Sequence, residues 1–248
     1  MARRLQNFKF GLGGNTMQKQ SICFIVVTAA VAMVGCVKAV RTSERPAFER
    51  QELDGCMAIL IDMSGSFADA WEERAYELFI ELSESYFTEA MGTNNRLVIS
   101  QLSGNDRVVV FEGAPVDLTR QFRSPEELNQ FLKKKSDPSR SRVYASVSET
   151  LDYLSSMDGV TERTRLMTVV MSDLRDSESD QEKRNRIGQE MVESMNDYRN
   201  RGGALALYFV ASDEVPRWKD ILDRAGFLES QYVIQNELTR RPQLPRFD

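Results

Sequence analysis

Aspartate and serine side chains in three short segments are the residues of this chain best suited to binding chemistry. The segments are Asp62-Met63-Ser64-Gly65-Ser66, Ser172-Asp173 and Ser139-Arg140-Ser141-Arg142. Carboxylate and hydroxyl oxygens are hard donors of the kind that Mg²⁺, Mn²⁺ and Ca²⁺ prefer. Aspartate and serine are also common helix-capping residues, so each segment alone fits either a cation ligand or a cap. Their positions in the fold decide between the two interpretations.

The composition excludes several other kinds of site. The chain contains no histidine, which excludes a Ser-His-Asp triad, a Cys-His dyad and any metal held by imidazole. Its three cysteines are Cys23, Cys36 and Cys56, which are too few and too scattered for a zinc cluster. Cys56 begins a predicted buried strand, where we expect it to act as a small apolar residue and to form no disulfide.

Apolar runs alternate with helical patterns along the body of the chain. Buried strands are predicted at 57–61, 165–172 and 204–210, a hairpin at 97–102 and 107–111, and a last strand at 232–234. Helices are predicted at about 68–91, 124–135, 143–154, 187–198 and 218–225. This order predicts an α/β fold with a doubly wound, mostly parallel six-stranded sheet, one antiparallel edge strand and helices on both faces.

The predicted sheet brings the three polar segments to one edge. In doubly wound sheets, ligands bind beyond the carboxyl ends of the strands, at the point where the strand order reverses. Here that edge lies just after Ile61, just after Met171 and in the loop before Val143. The positions therefore favour a cation site over three unrelated helix caps.

The segment Asp62-x-Ser64-x-Ser66, directly after a buried first strand, resembles the metal-ion-dependent adhesion site of von Willebrand factor type A domains and integrin inserted domains. The order of strands and helices agrees with that family over about 56–235. The resemblance implies a Rossmann-like fold and a binding function, in which one divalent cation holds an acidic group of a partner.

In that family, a threonine from a middle loop and an aspartate after the fourth strand complete the site. Asp173 matches the aspartate, and Ser141 matches the threonine because Val143-Tyr144-Ala145 follows it as in the family. Ser139 is the other candidate for the threonine position. The resemblance thus implies one Mg²⁺, or alternatively Mn²⁺ or Ca²⁺, held by Asp62, Ser64, Ser66, Ser141 and Asp173.

Arginines flank these residues in a chain that is acidic overall. Arg140, Arg142 and Arg175 would form a basic rim, which favours an acidic group on a protein or peptide partner. We therefore predict a binding module that is not an enzyme and has no small-molecule substrate. The alternatives are a structural domain of the same fold without metal, and a Mg²⁺-dependent phosphohydrolase with Asp62 as nucleophile. Haloacid-dehalogenase-like enzymes of that second kind need another aspartate where this chain has Ser64, and a lysine.

The charge is unevenly distributed along the chain. Residues 1–41 hold six of the 32 Lys and Arg residues and none of the 37 Asp and Glu residues. The remainder is therefore strongly acidic, which argues against nucleic-acid binding, since that function needs a basic face.

The N-terminal segment is typical of export and membrane attachment. Residues 22–37 are almost uninterruptedly apolar and follow several basic residues. Met33-Val34-Gly35-Cys36 resembles a bacterial lipobox, which predicts lipidation of Cys36; an uncleaved anchor and cleavage after Ala39 are the alternatives, and Met17 is an alternative start. We predict a signal or anchor over 1–39, a tether over 40–55, the domain over 56–236 and a flexible tail over 237–248. Each alternative places the domain in the cell envelope, on the extracytoplasmic side of a membrane.

Overall fold

A computed structural model of the chain describes residues 51–65, 67, 79, 93–103, 107–236 and 243–245. Six strands are present: β1 (Gly55–Ile61), β2 (Asn95–Gln101), β3 (Val109–Gly113), β4 (Arg165–Met171), β5 (Ala204–Tyr208) and β6 (Tyr232–Gln235). They form one sheet in the order β3-β2-β1-β4-β5-β6. Every pair of neighbours is parallel except β2 and β3, which are antiparallel.

Strand β1 lies at the centre of the sheet and is buried on both faces. Alternate side chains enter two separate cores: Ala58 and Leu60 lie in one, and Met57, Ile59 and Ile61 in the other. A strand covered on both faces needs apolar residues at every position, which explains the unbroken apolar run in the sequence.

Helices cover both faces of the sheet. The helices whose full bounds the structure describes are α1 (Pro115–Gln121), α2 (Pro125–Lys135), α3 (Val143–Ser156), α4 (Gln181–Asn200) and α5 (Val215–Arg224). Helices α3, α4 and α5 pack in the core that contains Leu60, whereas α1 and α2 pack in the core that contains Ile59. The predicted doubly wound, mostly parallel sheet with one antiparallel edge strand is therefore confirmed.

The observed elements differ from the predicted ones at a few positions. Helix α1 was not predicted, although Pro115 at its first position and the bond from the Ala114 N–H to the Asp117 carboxylate (3.1 Å) are ordinary helix-start features. Strand β5 ends at Tyr208 rather than at 210, because Phe209 has a left-handed backbone with φ of 68°. Strand β1 begins at Gly55, two residues before the apolar run 57–61.

Several predictions fall wholly or partly outside the described residues. Cys36, the apolar run 22–37 and Ser66 lie outside them, and of the predicted helix 68–91 only Phe79 is described, as a helical and buried residue. Within the described part of the chain, no helix combines the length and apolarity needed to cross a bilayer. Near the C-terminus, the Tyr208 hydroxyl donates to the carbonyl oxygen of Gln243 at 2.5 Å, and Leu244 packs against the same core as α1.

Candidate metal centre

Asp62 is the first residue after β1, and its position follows from the pairing of the central strands. Ile61 is in register with Gln101 of β2 and with Met171 of β4. The Asp62 N–H continues the ladder by donating to the Met171 carbonyl oxygen at 3.0 Å. The side chain is consequently held at the carboxyl edge of the sheet, where it is only 1% exposed.

Three serine hydroxyls from separate loops converge on the Asp62 carboxylate. Ser64 donates to Oδ1 through its hydroxyl at 2.5 Å and through its N–H at 2.9 Å. Ser172 and Ser141 both donate to Oδ2, at 2.7 Å and 3.3 Å respectively. A serine hydroxyl that donates its proton keeps two lone pairs, so each of these oxygens retains the capacity to bind a cation.

The surroundings of Asp62 are polar but contain no close positive charge. Among the described residues, no lysine or arginine nitrogen lies within 4 Å of its carboxylate, and the ion pairs of the surrounding loops involve other acids. Buried carboxylates in proteins are commonly paired with a cationic side chain or coordinated to a metal. The hydroxyl and carboxylate oxygens collected here suit a hard divalent cation.

The backbone around Ser141 is fixed on two sides. Next to it, the Arg142 N–H donates to the carbonyl oxygen of Leu102, beyond the end of β2, at 2.8 Å. On the other side, the N–H and hydroxyl of Ser177 donate to the Ser141 carbonyl oxygen at 2.9 Å and 2.8 Å. The Ser141 N–H returns a bond to the Ser177 hydroxyl at 3.0 Å. These bonds hold the Ser141 hydroxyl against Asp62.

Ser139, the other candidate for the same position, faces a different acid. Its hydroxyl and N–H donate to Asp137 Oδ1 at 2.6 Å and 2.9 Å. These bonds lower the pKa of the Asp137 carboxyl group. Of the two serines, Ser141 is therefore the one that lies within hydrogen-bonding distance of Asp62.

Asp173 lies in a tight turn directly after β4. Its Oδ1 accepts a hydrogen bond from the Arg175 N–H at 3.0 Å. The intervening residue, Leu174, is 1% exposed and has a left-handed backbone with φ of 63°. That conformation costs a residue other than glycine about 1–2 kcal/mol, so the surrounding packing must hold it. Strained backbone of this kind often accompanies functional sites.

The predicted rim arginines occupy different surroundings. Arg175 forms an ion pair with Asp213 at 2.8 Å, which raises the pKa of Arg175 and lowers that of Asp213. Arg142 pairs with Glu149 at 3.4 Å. Arg140 and Arg142 both line a cleft of about 350 Å³ next to the Ser141 loop. Two of the three predicted arginines thus border a cavity, while the guanidinium of Arg175 is already bound by an acid.

Ser172 is a residue of this centre that sequence analysis did not assign as a ligand. Its position could have been predicted from the sheet. Ile61 of β1 pairs with Met171 of β4, so the residues that follow them, Asp62 and Ser172, are neighbours. No comparable feature of the sequence indicated Asp176 and Ser177, since they contact residues that are distant from them in the sequence. Asp176 accepts from the Tyr144 N–H at 3.1 Å and so caps α3, whose N-cap residue, Arg142, provides no side-chain bond.

No cluster of three or more Asp, Glu, Cys or His side chains able to hold a metal occurs in the described part of the chain. A cation at this edge would accordingly depend on Asp62 and Asp173 together with the serine hydroxyls. Two carboxylates and neutral hydroxyls leave room in the coordination shell of a divalent ion for water or for another acidic group.

Comparison with known proteins gave similarities in structure only. No protein-family model matches the chain, and no curated protein matches it in sequence. The SpaC pilus adhesin of Lactobacillus rhamnosus GG in its open conformation is 10% identical, with a TM-score of 0.47 over 76% of this chain and 28% of that one. The PilB minor pilin of Streptococcus sanguinis is 8% identical, with a TM-score of 0.48 over 75% and 58%. The manganese-loaded TRAP protein of Plasmodium vivax is 14% identical, with a TM-score of 0.46 over 75% and 70%. The chain thus spans less than two thirds of the adhesin and of the pilin.

Proposed function

We propose that this chain is a metal-ion-dependent binding module of the von Willebrand factor type A kind. In this proposal Asp62, Ser64 and Ser141 hold one divalent cation, with Ser66 and Asp173 as further ligands. The observation that supports it most is the buried Asp62 carboxylate, on which three serine hydroxyls converge without a cationic side chain within 4 Å among the described residues. Mg²⁺ is the first candidate, and Mn²⁺ and Ca²⁺ are the alternatives.

The bound cation would supply an open coordination position for a carboxylate. Two aspartates balance the charge of a divalent ion and the serine ligands add none, so an open coordination position can still accept one more acidic group. The partner we propose is therefore a protein or peptide with an exposed acidic residue, and no small-molecule substrate is required. The basic side chains of Arg140 and Arg142 beside Ser141 support the same choice of partner.

The proposed location is the outer side of a membrane, in the cell envelope. The support is the basic and apolar N-terminal sequence with Cys36 in a lipobox-like context. A lipid on Cys36 or an uncleaved anchor would hold the module there through the residues that precede β1.

A binding role is favoured over phosphoester hydrolysis by the contacts of Asp62. Ser64, which stands where haloacid-dehalogenase-like enzymes have a second aspartate, uses its hydroxyl to donate to Asp62. Such enzymes also need a lysine at the site, and none lies within 4 Å of Asp62 in the described part of the chain. A metal-free structural domain is the remaining alternative, and metal binding distinguishes it from the proposal.

The first experiment measures the melting temperature of the full-length chain in EDTA, Mg²⁺, Mn²⁺ and Ca²⁺. An ion at about 100 times its Kd adds about 2.7 kcal/mol of stability, which corresponds to roughly 5–10 °C for a domain of this size. We expect this increase in melting temperature in the parent chain and in the control Asp152→Ala, which removes an exposed acid of α3. Asp62→Ala should abolish it.

Two results would contradict the proposal. If no ion raises the melting temperature of the parent chain, the metal-free structural alternative is supported. If the chain hydrolyses a generic phosphate ester with Mg²⁺ and Asp62→Ala loses this activity, the protein is an enzyme.

A further inference from the structure

A groove runs from the Ser141 loop across α4 to α5. Its first part is the cleft of about 350 Å³ between the amino-terminal ends of α3 and α4. Its second part is a cavity of about 380 Å³ between α4 and α5. Tyr144 and Arg184 line both parts, so the two cavities adjoin at these side chains. We refer to this feature as the basic groove.

Cationic side chains dominate the first part of the basic groove. The four that line it are Arg140, Arg142, Lys183 and Arg184. Arg142 pairs with Glu149, and Lys183 pairs with Glu178. Among the described residues, no carboxylate oxygen lies within 4 Å of the guanidinium of Arg140 or Arg184. Arg140 nevertheless helps to lower the pKa of Asp137 in its own loop, and the acids Asp176 and Glu178 also line the cleft. Within the described part of the chain, Arg184 is therefore the cation of this cleft with the least compensation by acids.

Arg184 is held in position by an aromatic side chain. Its guanidinium carbon lies 5.6 Å from the centre of the Tyr144 ring, a cation–π contact. The Tyr144 ring in turn packs against Trp218 of α5, with ring centres 6.0 Å apart. Gly188 follows one turn after Arg184 and provides no side chain to cover the ring. The groove therefore combines a positioned positive charge with the largely buried ring of Tyr144 beneath it.

We propose that the basic groove binds an extended acidic segment of a protein partner. One carboxylate of the segment would reach the cation at Asp62, and others would bind Arg140 and Arg184. The inference rests on the proposed function for the first contact only, since the arginines attract acids without a metal.

A peptide fits the groove better than a lone phosphate group. The N–H groups of Tyr144 and Lys183, at the starts of α3 and α4, already donate to Asp176 and Asp180. Backbone N–H groups at helix starts, which bind phosphate in other proteins, are thus partly engaged in hydrogen bonds here. The second part of the groove is lined by the amides of Gln181, Asn185 and Gln189. Gln181 donates to Asn185 Oδ1 at 2.9 Å, and the remaining donors and acceptors of the three amides can bond a peptide backbone.

The experiment measures binding of a fluorescein-labelled polyglutamate peptide to the full-length chain by fluorescence anisotropy, in Mn²⁺ and in EDTA. The variants are Arg140→Gln, Arg184→Gln and the control Arg163→Gln, an exposed arginine before β4 at the opposite edge of the sheet. A glutamine version of the peptide and a phosphoserine peptide are the comparison ligands. Retention of the Mn²⁺-dependent melting shift shows that each variant is folded and that its metal site is intact.

We expect Arg140→Gln and Arg184→Gln each to weaken polyglutamate binding by at least about tenfold, since a bond to a charged group is lost. Arg163→Gln should bind as the parent does, and the glutamine peptide should not bind. Added salt should weaken binding because the contacts are ionic.

The outcomes separate the two proposals. If polyglutamate binding needs Mn²⁺ but is unchanged in both variants, the metal site stands and the basic groove is rejected. If no metal changes the melting temperature, but polyglutamate still binds and its binding depends on both arginines, the groove is supported and the metal site is rejected. Tighter binding of the phosphoserine peptide, or no binding of polyglutamate, also overturns the inference.

Discussion

Asp62 combines deep burial with a set of neutral hydrogen-bond donors. Ser64, Ser141 and Ser172 donate to its oxygens, so among the described residues the site is held together without a cationic side chain. A buried polar network of this kind is costly when one member is missing, because the remaining group keeps its desolvation penalty. This is the reason that single hydroxyl deletions are informative at this position.

Replacement of Ser141 by alanine tests which of the two neighbouring serines matters for the metal. Ser141→Ala removes a hydroxyl that lies 3.3 Å from Asp62, so we expect metal affinity to fall by at least about tenfold. Ser139→Ala removes a hydroxyl that bonds Asp137 instead and should leave affinity unchanged. Titration of the melting temperature with Mn²⁺ measures both. Equal loss in the two variants would show that Ser141 has no special role.

At the scale of elements, the loops at the carboxyl edge are tied to one another by main-chain bonds. The Gly65 N–H donates to the Pro138 carbonyl oxygen at 3.2 Å, and the Ser177 N–H donates to Ser141 at 2.9 Å. Asp176 caps α3 from a third loop. The polar side chains thus take their positions from the strand ends, and the loops keep those positions by bonding to each other.

Gly188 in the middle of α4 and Gly202 just after its end should respond in opposite ways to replacement by alanine. At Gly188, within the helix, an added Cβ would lie 3.8 Å from the Tyr144 ring, an ordinary contact. Gly188→Ala should therefore stabilise the fold by about 0.5–1 kcal/mol through higher helix propensity.

Gly202, two residues past the end of α4, provides the matched control. It has open space around it but a φ of 79°, so Gly202→Ala should destabilise the fold by about 1 kcal/mol. Urea unfolding in EDTA measures both changes. Destabilisation by Gly188→Ala would indicate that the helix cannot accept a methyl group against Tyr144.

The sequence predicts the parts of this structure that depend on local pattern. The unbroken apolar run of β1 and the placement of Asp62 directly after it follow from burial on both faces. Helix α1 is short and its apolar pattern is weak, so its start signals at Pro115 were the only guide. The roles of Asp176 and Ser177 depend on contacts with residues more than thirty positions away, which no local pattern encodes.

At the scale of the whole molecule, the central strand links the candidate metal centre to both cores. Strand β1 pairs with β2 and β4 along its full length, and Asp62 follows its last residue. Cys56 lies near the other end of the same strand and is fully buried. Opening β1 requires separation of the helices on at least one face, so we expect this strand to become exposed only through global unfolding.

Cys56 therefore provides a probe of global stability that is independent of heating. Burial raises the pKa of its thiol to about 12, so almost none of the Cys56 side chain is a reactive thiolate at pH 8 in the folded protein. Alkylation of Cys56, followed by mass spectrometry of the peptide that contains it, should proceed only from the unfolded state. A divalent ion at about 100 times its Kd should slow this alkylation about 100-fold in the parent chain and not at all in Asp62→Ala, because binding to the folded state lowers the unfolded fraction by that factor. If the ion raises the melting temperature but leaves the alkylation rate unchanged, β1 opens locally, and the centre of the sheet is less cooperative than its pairing implies.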